Sequence, residues 1–368
     1  MTESHNLHSW PWEPDPDYRR LLAALQRKGD PGCVPFLELF ADHEVIAAFL
    51  DEPVPPEAST ADDRAPLEKR LDQKIRFWYH LGYDAFWQWA ILDLPQSRLE
   101  ADDTADLKRE TRSWVDEKTG IITNWADFER YPWPRPEDAD LYPMEYVAEH
   151  LPEGMGILAS VSGVLEPVMW LMGYETFALA LYDQPDLIQA MFDKIEEIFV
   201  PLARTLVEMD RVIGLWVGDD MGFKTGTMVD PEHLRKYVFP VHKQYAAIAH
   251  QHDMPFLLHS CGNLKVVMDD LIDDVGIDAK HSFEDVIEPV EQFAERYADR
   301  ISVIGGIDVD LLSRSTEQQV RARTREVLEA CAPTGGYVLG SGNSIANYIP
   351  MSNFLAMVDE GWRFNTRQ

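Results

Sequence analysis

The chain has 368 residues, 45% of them hydrophobic and 26% charged, the make-up of an ordinary water-soluble globular protein. No run of about 18 apolar residues occurs, so no transmembrane helix and no membrane association are expected. A formal net charge of -31 argues against nucleic acid, whose phosphates would be repelled.

The first 20 residues show no basic start followed by an apolar core, so no signal peptide is expected and the cytoplasm is the expected compartment. Cys33, Cys261 and Cys331 are odd in number and far apart, which is no disulfide framework. From Asp17 to about Lys28, "YRRLLAALQRK" carries helical apolar spacing and predicts a helical N-terminal extension over about residues 1–30. Segment 51–66 is rich in proline and acid and predicts an exposed loop. The stretch "PLEKRLDQKIRFWYHLG" predicts an amphipathic helix ending at Gly82. Region 95–150, with "RYPWPRPEDADLYP" at its heart, is polar and interrupted by prolines, and reads as a long excursion without regular structure.

From Gly154 onward short apolar runs alternate with helical stretches. The runs are "GMGILASVSG", "VIGLWVGDD", "MPFLLHSCG", "GIDAKHSFED", "ISVIGGID" and "GGYVLGSGN". Helices are predicted over 184–209, 231–252, 264–274, 286–298 and 315–331. "CVPFLELF" and "YDAFWQWAI" add two earlier strands, for eight in all. Strands separated by helices imply parallel pairing, because a parallel crossover needs a long connection. Eight such units predict an α/β fold, a (β/α)8 TIM barrel, with residues 1–368 as one unit. No Gly-x-Gly-x-x-Gly stands between a strand and a helix, which removes the dinucleotide-binding alternative.

In such a barrel the chemistry sits at the C-terminal ends of the strands. These ends carry Glu38, Ser160 and Ser162, the Asp219-Asp220 pair with Lys224 beyond it, and His259-Ser260-Cys261. They continue with Lys280, His281 and Glu284, then Asp308, then Ser341, Asn343 and Ser344. Alternate strand residues face one way, so an inward Leu257 brings His259 and Cys261 inward too. An imidazole nitrogen and a thiolate on one strand edge are natural zinc ligands. A third must come from another strand end, and Asp220, Glu284 and Asp308 are the candidates, His281 standing behind them. The plain alternative is a buried thiol beside a hydrogen-bonded imidazole. A Cys-His nucleophile pair is disfavoured, because residues two apart on a strand are offset along it. Of Asp219 and Asp220 at most one looks inward. That one could be a metal ligand, a general base or the partner of a substrate cation. Trp87, Trp89, Trp125, Trp133 and Trp170 are core or cover residues, some of which could line a flat apolar pocket.

The segments "GDDMGFKTG", "HSCGNL", "VGIDAKHSFEDVIEPVEQFAERYADRISVIGGIDVDLL" and "GGYVLGSGNSIANYIP" resemble the uroporphyrinogen decarboxylase superfamily, most clearly from Gly214 to Trp362. That resemblance implies the (β/α)8 barrel. It also implies one of two chemistries, a cofactor-free decarboxylase or a cobalamin-dependent methyltransferase using zinc and a separate corrinoid protein. The decarboxylase branch has an arginine-rich N-terminal motif and a closing Gly-His-Gly. Here the matching stretch "CVPFLELFADHEVIAAF" has no arginine, and Gly342-Asn343-Ser344 stands in the place of the closing Gly-His-Gly. The methyltransferase branch carries His-x-Cys as two zinc ligands, matched by His259 and Cys261. Its coenzyme M-type members take a third ligand, a cysteine, where Asn343 stands here. The resemblance therefore implies a zinc-dependent methyltransferase moving a methyl group between a small O- or N-methylated compound and a corrinoid protein. A metal-free carboxy-lyase on a small acid is the alternative. The expected metal ligands are His259, Cys261 and Glu284, and the expected catalytic residues Asp220, Glu284 and Asp308. Glu38, Lys224, Asn343 and Tyr348 are expected at the substrate, and a homodimer fits the family.

Overall fold

The structure, a computed structural model, describes residues 6–28, 32–56, 63–103, 105, 107, 111–116, 118 and 120–366. Among them eleven strands follow one another: β1 (Ala85–Trp89), β2 (Arg98–Asp102), β3 (Thr111–Val115), β4 (Gly156–Ser162), β5 (Val212–Gly218), β6 (Gly222–Phe223), β7 (Gly226–Thr227), β8 (Phe256–His259), β9 (Ala279–His281), β10 (Ser302–Ile304) and β11 (Tyr337–Val338). Seven of these form one parallel sheet in the order β1-β4-β5-β8-β9-β10-β11. The chain near Phe36 joins beyond β11 through the bridge Phe36↔Leu339, where Leu37 N–H donates to Leu339 O at 2.9 Å. This curled α/β sheet with helices between its strands is the (β/α)8-type architecture that the alternation predicts.

The interior of the curl is apolar. Leu37, Ala85, Leu158, Trp216, Leu257, Ala279, Ile304 and Val338, one from each of the eight strand positions, form a single buried cluster. Leu21, Ala24 and Leu25 belong to it, so the N-terminal helix Tyr18–Leu25 is part of the barrel core. Polar contacts fix it there: Arg20 pairs with Asp84 at 2.8 Å, and Ser302 Oγ donates to Ala24 O at 2.6 Å. A second, larger cluster lies between strands and outer helices, and the 23-residue helix Pro185–Val207 buries a long apolar face in it.

The structure departs from expectation in three places. "CVPFLELF" is an extended segment held by one bridge, not a strand of several residues. Region 95–150 is largely regular, with the antiparallel hairpin β2–β3 and the helices Trp125–Arg130 and Tyr142–His150. β2 alternates polar and apolar residues over Arg98–Asp102 but is exposed at every one of them, and β3 (Thr111–Val115) does not alternate, so five residues amid a polar, proline-rich region are too short a signal to reveal the hairpin. In the second helix the proline sits in the first turn, where a missing N–H costs nothing, so it marks a start, not a break. Third, the helices Leu165–Met172 and Tyr174–Asp183 follow β4 without having been expected, as do His43–Leu50, Val309–Arg314 and Met351–Asn365 elsewhere. The predicted helices run 64–81, 185–207, 231–251 with a π turn at 234–238, 270–275 as π helix, 290–297 and 317–331, the last five shorter than predicted. Part of the predicted 51–66 loop, residues 57–62, lies outside the described residues. No described helix is long and apolar enough to cross a membrane.

Candidate metal centre

β5 and β8 run side by side in register, Gly218 opposite His259. The two chains leaving them, Asp219–Gly222 and Ser260–Asn263, therefore cross at the C-terminal end of the sheet. They touch backbone to backbone. A Cβ on Gly262, whose φ is +83°, would lie 2.2 Å from the carbonyl carbon of Gly222. Ser260 Oγ accepts Met221 N–H at 3.0 Å, and Asp220 Oδ1 accepts Cys261 N–H at 2.8 Å.

This crossing brings Asp220 to His259 and Cys261. One donor atom from each lies within 4.8 Å of the other two. Cys261 Sγ and Asp220 Oδ1 are each 3.5 Å from His259 Nε2. Ligands bound to one zinc at about 2.0–2.3 Å with tetrahedral angles stand about 3.3–3.7 Å apart, so the spacing suits such an ion. The charges suit it as well, because a thiolate, a carboxylate and a neutral imidazole together balance a dication.

The imidazole is neutral and its tautomer is set by geometry. His281 Nε2 is 3.2 Å from the carbonyl oxygen of Ser341, and a carbonyl only accepts, so Nε2 carries the proton. His281 Nδ1 is then an acceptor, and His259 Nδ1–H donates to it at 2.7 Å. The lone pair of His259 is left on Nε2, facing Asp220 and Cys261. Burial pushes His259 down to about 4, with the Asp220 charge acting the other way. Burial likewise holds His281 well below its ordinary value. Burial, and then the Asp220 carboxylate, push the Cys261 thiol up. A thiolate at Cys261 therefore needs added positive charge. Asn343 Nδ2–H donates to the sulfur at 3.2 Å, and the Ser282 hydroxyl lies 3.5 Å from it, placed to donate to a thiolate. Beside them Lys280 is pushed down to about 8 by burial. Its ammonium donates to Ser282 O at 2.5 Å and lies over the Phe283 ring.

The other expected site residues lie elsewhere. Glu284, expected as third ligand, is exposed and outside the donor group. With Asp308, Asn343 and Tyr348 it lines a cavity of about 570 Å³ at the mouth. Asp308 caps the helix Val309–Arg314 through Asp310 N–H and also accepts Asp285 N–H, both at 2.7 Å. Glu38 is buried and accepts Ser341 N–H at 2.8 Å and its hydroxyl at 2.5 Å. Lys224 is exposed in the β6–β7 turn. Asp219, the neighbour of Asp220, is fully buried. Its carboxylate accepts the N–H groups of Val164, Leu165 and Glu166 at the start of one helix and contacts His242 Nε2 at 2.9 Å. Ser282 and His242 escaped the sequence reading. Ser282 follows a strand end by one residue and could have been found there, whereas nothing local distinguishes His242 within its helix.

A second cavity, of about 540 Å³, opens beside Asp220 and is lined by residues from the helices after β4 and from the β6–β7 hairpin.

Comparison with known proteins places this architecture. A "methyltransferase from Methanosarcina mazei" is similar in structure, with a TM-score of 0.67 and 19% identity, covering 94% of this chain and 98% of that one. A protein assigned as a vitamin-B12-independent methionine synthase from Listeria monocytogenes has a TM-score of 0.48 and 13% identity, covering 91% and 98%. At such identities the first likeness speaks for the fold. The chain matches no curated protein sequence. The model of the family "Uroporphyrinogen decarboxylase (URO-D)" matches residues 117–362, well over half the chain and the whole sheet from β4 onward, and the chain therefore belongs to the uroporphyrinogen decarboxylase family.

Proposed function

We propose that the chain is a zinc-dependent methyltransferase, moving a methyl group between a small O- or N-methylated compound and a corrinoid carried by a partner protein. The observation that carries the reading is the donor group of Asp220 Oδ1, His259 Nε2 and Cys261 Sγ, within 4.8 Å of one another and of the residue types that bind zinc. Its position at the strand ends, where barrel enzymes keep their chemistry, supports the same reading. So does the TM-score of 0.67 to a protein described as a methyltransferase.

His259, Cys261 and Asp220 would hold the ion, with Asp220 in the place expected of Glu284. Zinc there supplies Lewis acidity at the methyl-bearing heteroatom, or holds an acceptor thiol as thiolate when methyl flows the other way. His281 keeps the His259 lone pair turned to the ligand position. Asn343 and Ser282 direct their donors at the Cys261 sulfur and stabilise its anionic form. Asp220 is spent as a ligand, so Glu284, the acid at the mouth beside Asn343, takes the proton-delivering role. The carboxy-lyase alternative is favoured by the family description, but the thiol-imidazole-carboxylate group has no part in it.

The test is metal analysis with a transfer assay. Purified protein is expected to hold one zinc per chain, lost in His259→Ala and Cys261→Ala. Mixed with cob(I)alamin and a panel of methyl ethers and methylamines, it is expected to produce the visible spectrum of methylcobalamin. Zinc-free protein indifferent to both substitutions would sink the mechanism.

A further inference from the structure

The Asp219 carboxylate is fully buried at the end of β5, and the proposed chemistry makes no use of it. It serves the start of another element. Its oxygens accept the N–H groups of Val164 at 3.0 Å, Leu165 at 3.1 Å and Glu166 at 2.9 Å, in the first turn of the helix Leu165–Met172. A helix start is usually closed by a Ser, Thr, Asp or Asn at its own N-cap. Here that position is Val164, which offers no side-chain acceptor, and the cap comes from a residue 55 positions along the chain. The approach is close: a Cβ on Gly163 would lie 2.3 Å from the Cβ of Asp219. A third element joins them. His242, fully buried in the helix Phe239–Gln251, places Nε2 2.9 Å from Asp219 Oδ2. A carboxylate only accepts, so Nε2 carries the proton. Nδ1 of the same ring is buried without a hydrogen-bond partner among the described residues. A buried polar atom left unpaired is costly, so what the imidazole offers over an apolar side chain is its bond to Asp219.

Asp220, the next residue, has far less to hold its side chain, which is 34% exposed. Its carboxylate meets Cys261 N–H and the His259 ring, the groups beside which it must stand. Its direction is therefore set by the backbone on either side. On one side is Asp219, whose N–H donates to His259 O at 3.0 Å. On the other is Met221, whose N–H donates to Ser260 Oγ. We infer, resting on the zinc reading, that Asp219 and His242 are positioning residues for the ligand Asp220. They clamp the end of β5 to the helix after β4 and to the helix Phe239–Gln251, and the clamped backbone turns Asp220 to His259 and Cys261. Both stand outside the donor group itself.

The experiment compares wild type with Asp219→Asn, His242→Phe and His242→Gln in two measurements. One is zinc affinity, by competition with a chelator. The other is hydrogen exchange of the Cys261 amide in zinc-free protein, followed by NMR, with the amides of β9 as the control for global opening. Asp219→Asn sets an amide N–H2 among N–H donors, and is expected to weaken zinc about 10–100-fold, the range for partners behind a ligand. His242→Phe is expected to weaken it about tenfold. His242→Gln, whose N–H2 stands as many bonds from the backbone as Nε2, is expected to recover most of that loss. The Cys261 amide, held by Asp220, is expected to exchange about tenfold faster in Asp219→Asn and His242→Phe but not in His242→Gln, with β9 unchanged. Variants that lose thermal stability yet keep zinc affinity and Cys261 protection overturn the inference and leave Asp219 a helix cap alone. So does a glutamine variant no better than the phenylalanine one. If Asp219→Asn fails to fold, the two His242 variants decide by the same measures. Wild type that takes up no zinc defeats the zinc reading, and the Cys261 amide still decides whether Asp219 and His242 position Asp220.

Discussion

His259 owes its readiness as a ligand to what lies behind it. Its Nδ1–H is taken up by His281, which is itself turned by the carbonyl of Ser341. Outer partners of this kind typically change metal affinity about 10–100-fold when removed. His281→Ala is accordingly expected to weaken zinc binding by about that factor, measured by competition with a chelator, and His281→Gln, which keeps an acceptor, to recover part of it. An unchanged affinity in the alanine variant would show that the imidazole pair only fills space. Glu38 sits one step further back, holding Ser341. Burial raises its pKa from 4.5 to about 8, against the pull of the Ser341 bonds. Between those values the folded chain keeps a proton that the unfolded chain has lost, so Glu38 contributes stability below pH 4.5 that fades as pH rises to 8. Urea unfolding is therefore expected to show the wild type losing ground to Glu38→Gln from pH 5 to pH 8, by on the order of a few kcal/mol. A difference that stays flat with pH would place the proton elsewhere. Both roles were hidden in the sequence, where Glu38 reads as a substrate contact, because a side chain's partner across the barrel leaves no local trace.

Elements differ in how plainly they announce themselves. β5 and β8 were legible because an apolar run ending in polar residues is a local pattern, and a period of two decides locally which side chains share a face. With Leu257 in the barrel interior, His259 and Cys261 follow at that period. The helix Tyr18–Leu25 was equally legible as a helix, but its place was not. It reads as an appendage and instead closes the bottom of the barrel, with Leu21, Ala24 and Leu25 fully buried. Leu25→Ala is expected to cost about 2–5 kcal/mol in urea unfolding, the range for a buried leucine whose cavity cannot collapse. A cost below about 0.5 kcal/mol, the size of a surface substitution, would mean that the helix is a detachable extension. The hairpin β2–β3 escaped for the opposite reason: β2 alternates over five residues only and buries no face, and β3 carries no two-residue alternation.

Over the whole molecule the alternation of apolar runs with helical stretches was enough to specify a parallel α/β barrel and to put a set of polar residues at one end of it. These follow from chain periodicity and from the length a parallel crossover needs. The net charge of -31 bears on what the surface attracts or repels and not on the fold. Which of the polar strand ends meet is another matter. Asp220 rather than Glu284 stands with His259 and Cys261, because the backbones at Gly222 and Gly262 cross where neither could carry a side chain. Asp219, one residue away, is turned outward to cap a helix. Asn343 meets the Cys261 sulfur from 82 residues along the chain. Residue types and their faces are thus properties of the sequence. The donor set, the orientation of its imidazole and the cavity beside it depend on contacts between loops that are distant in sequence, and only the folded chain decides them.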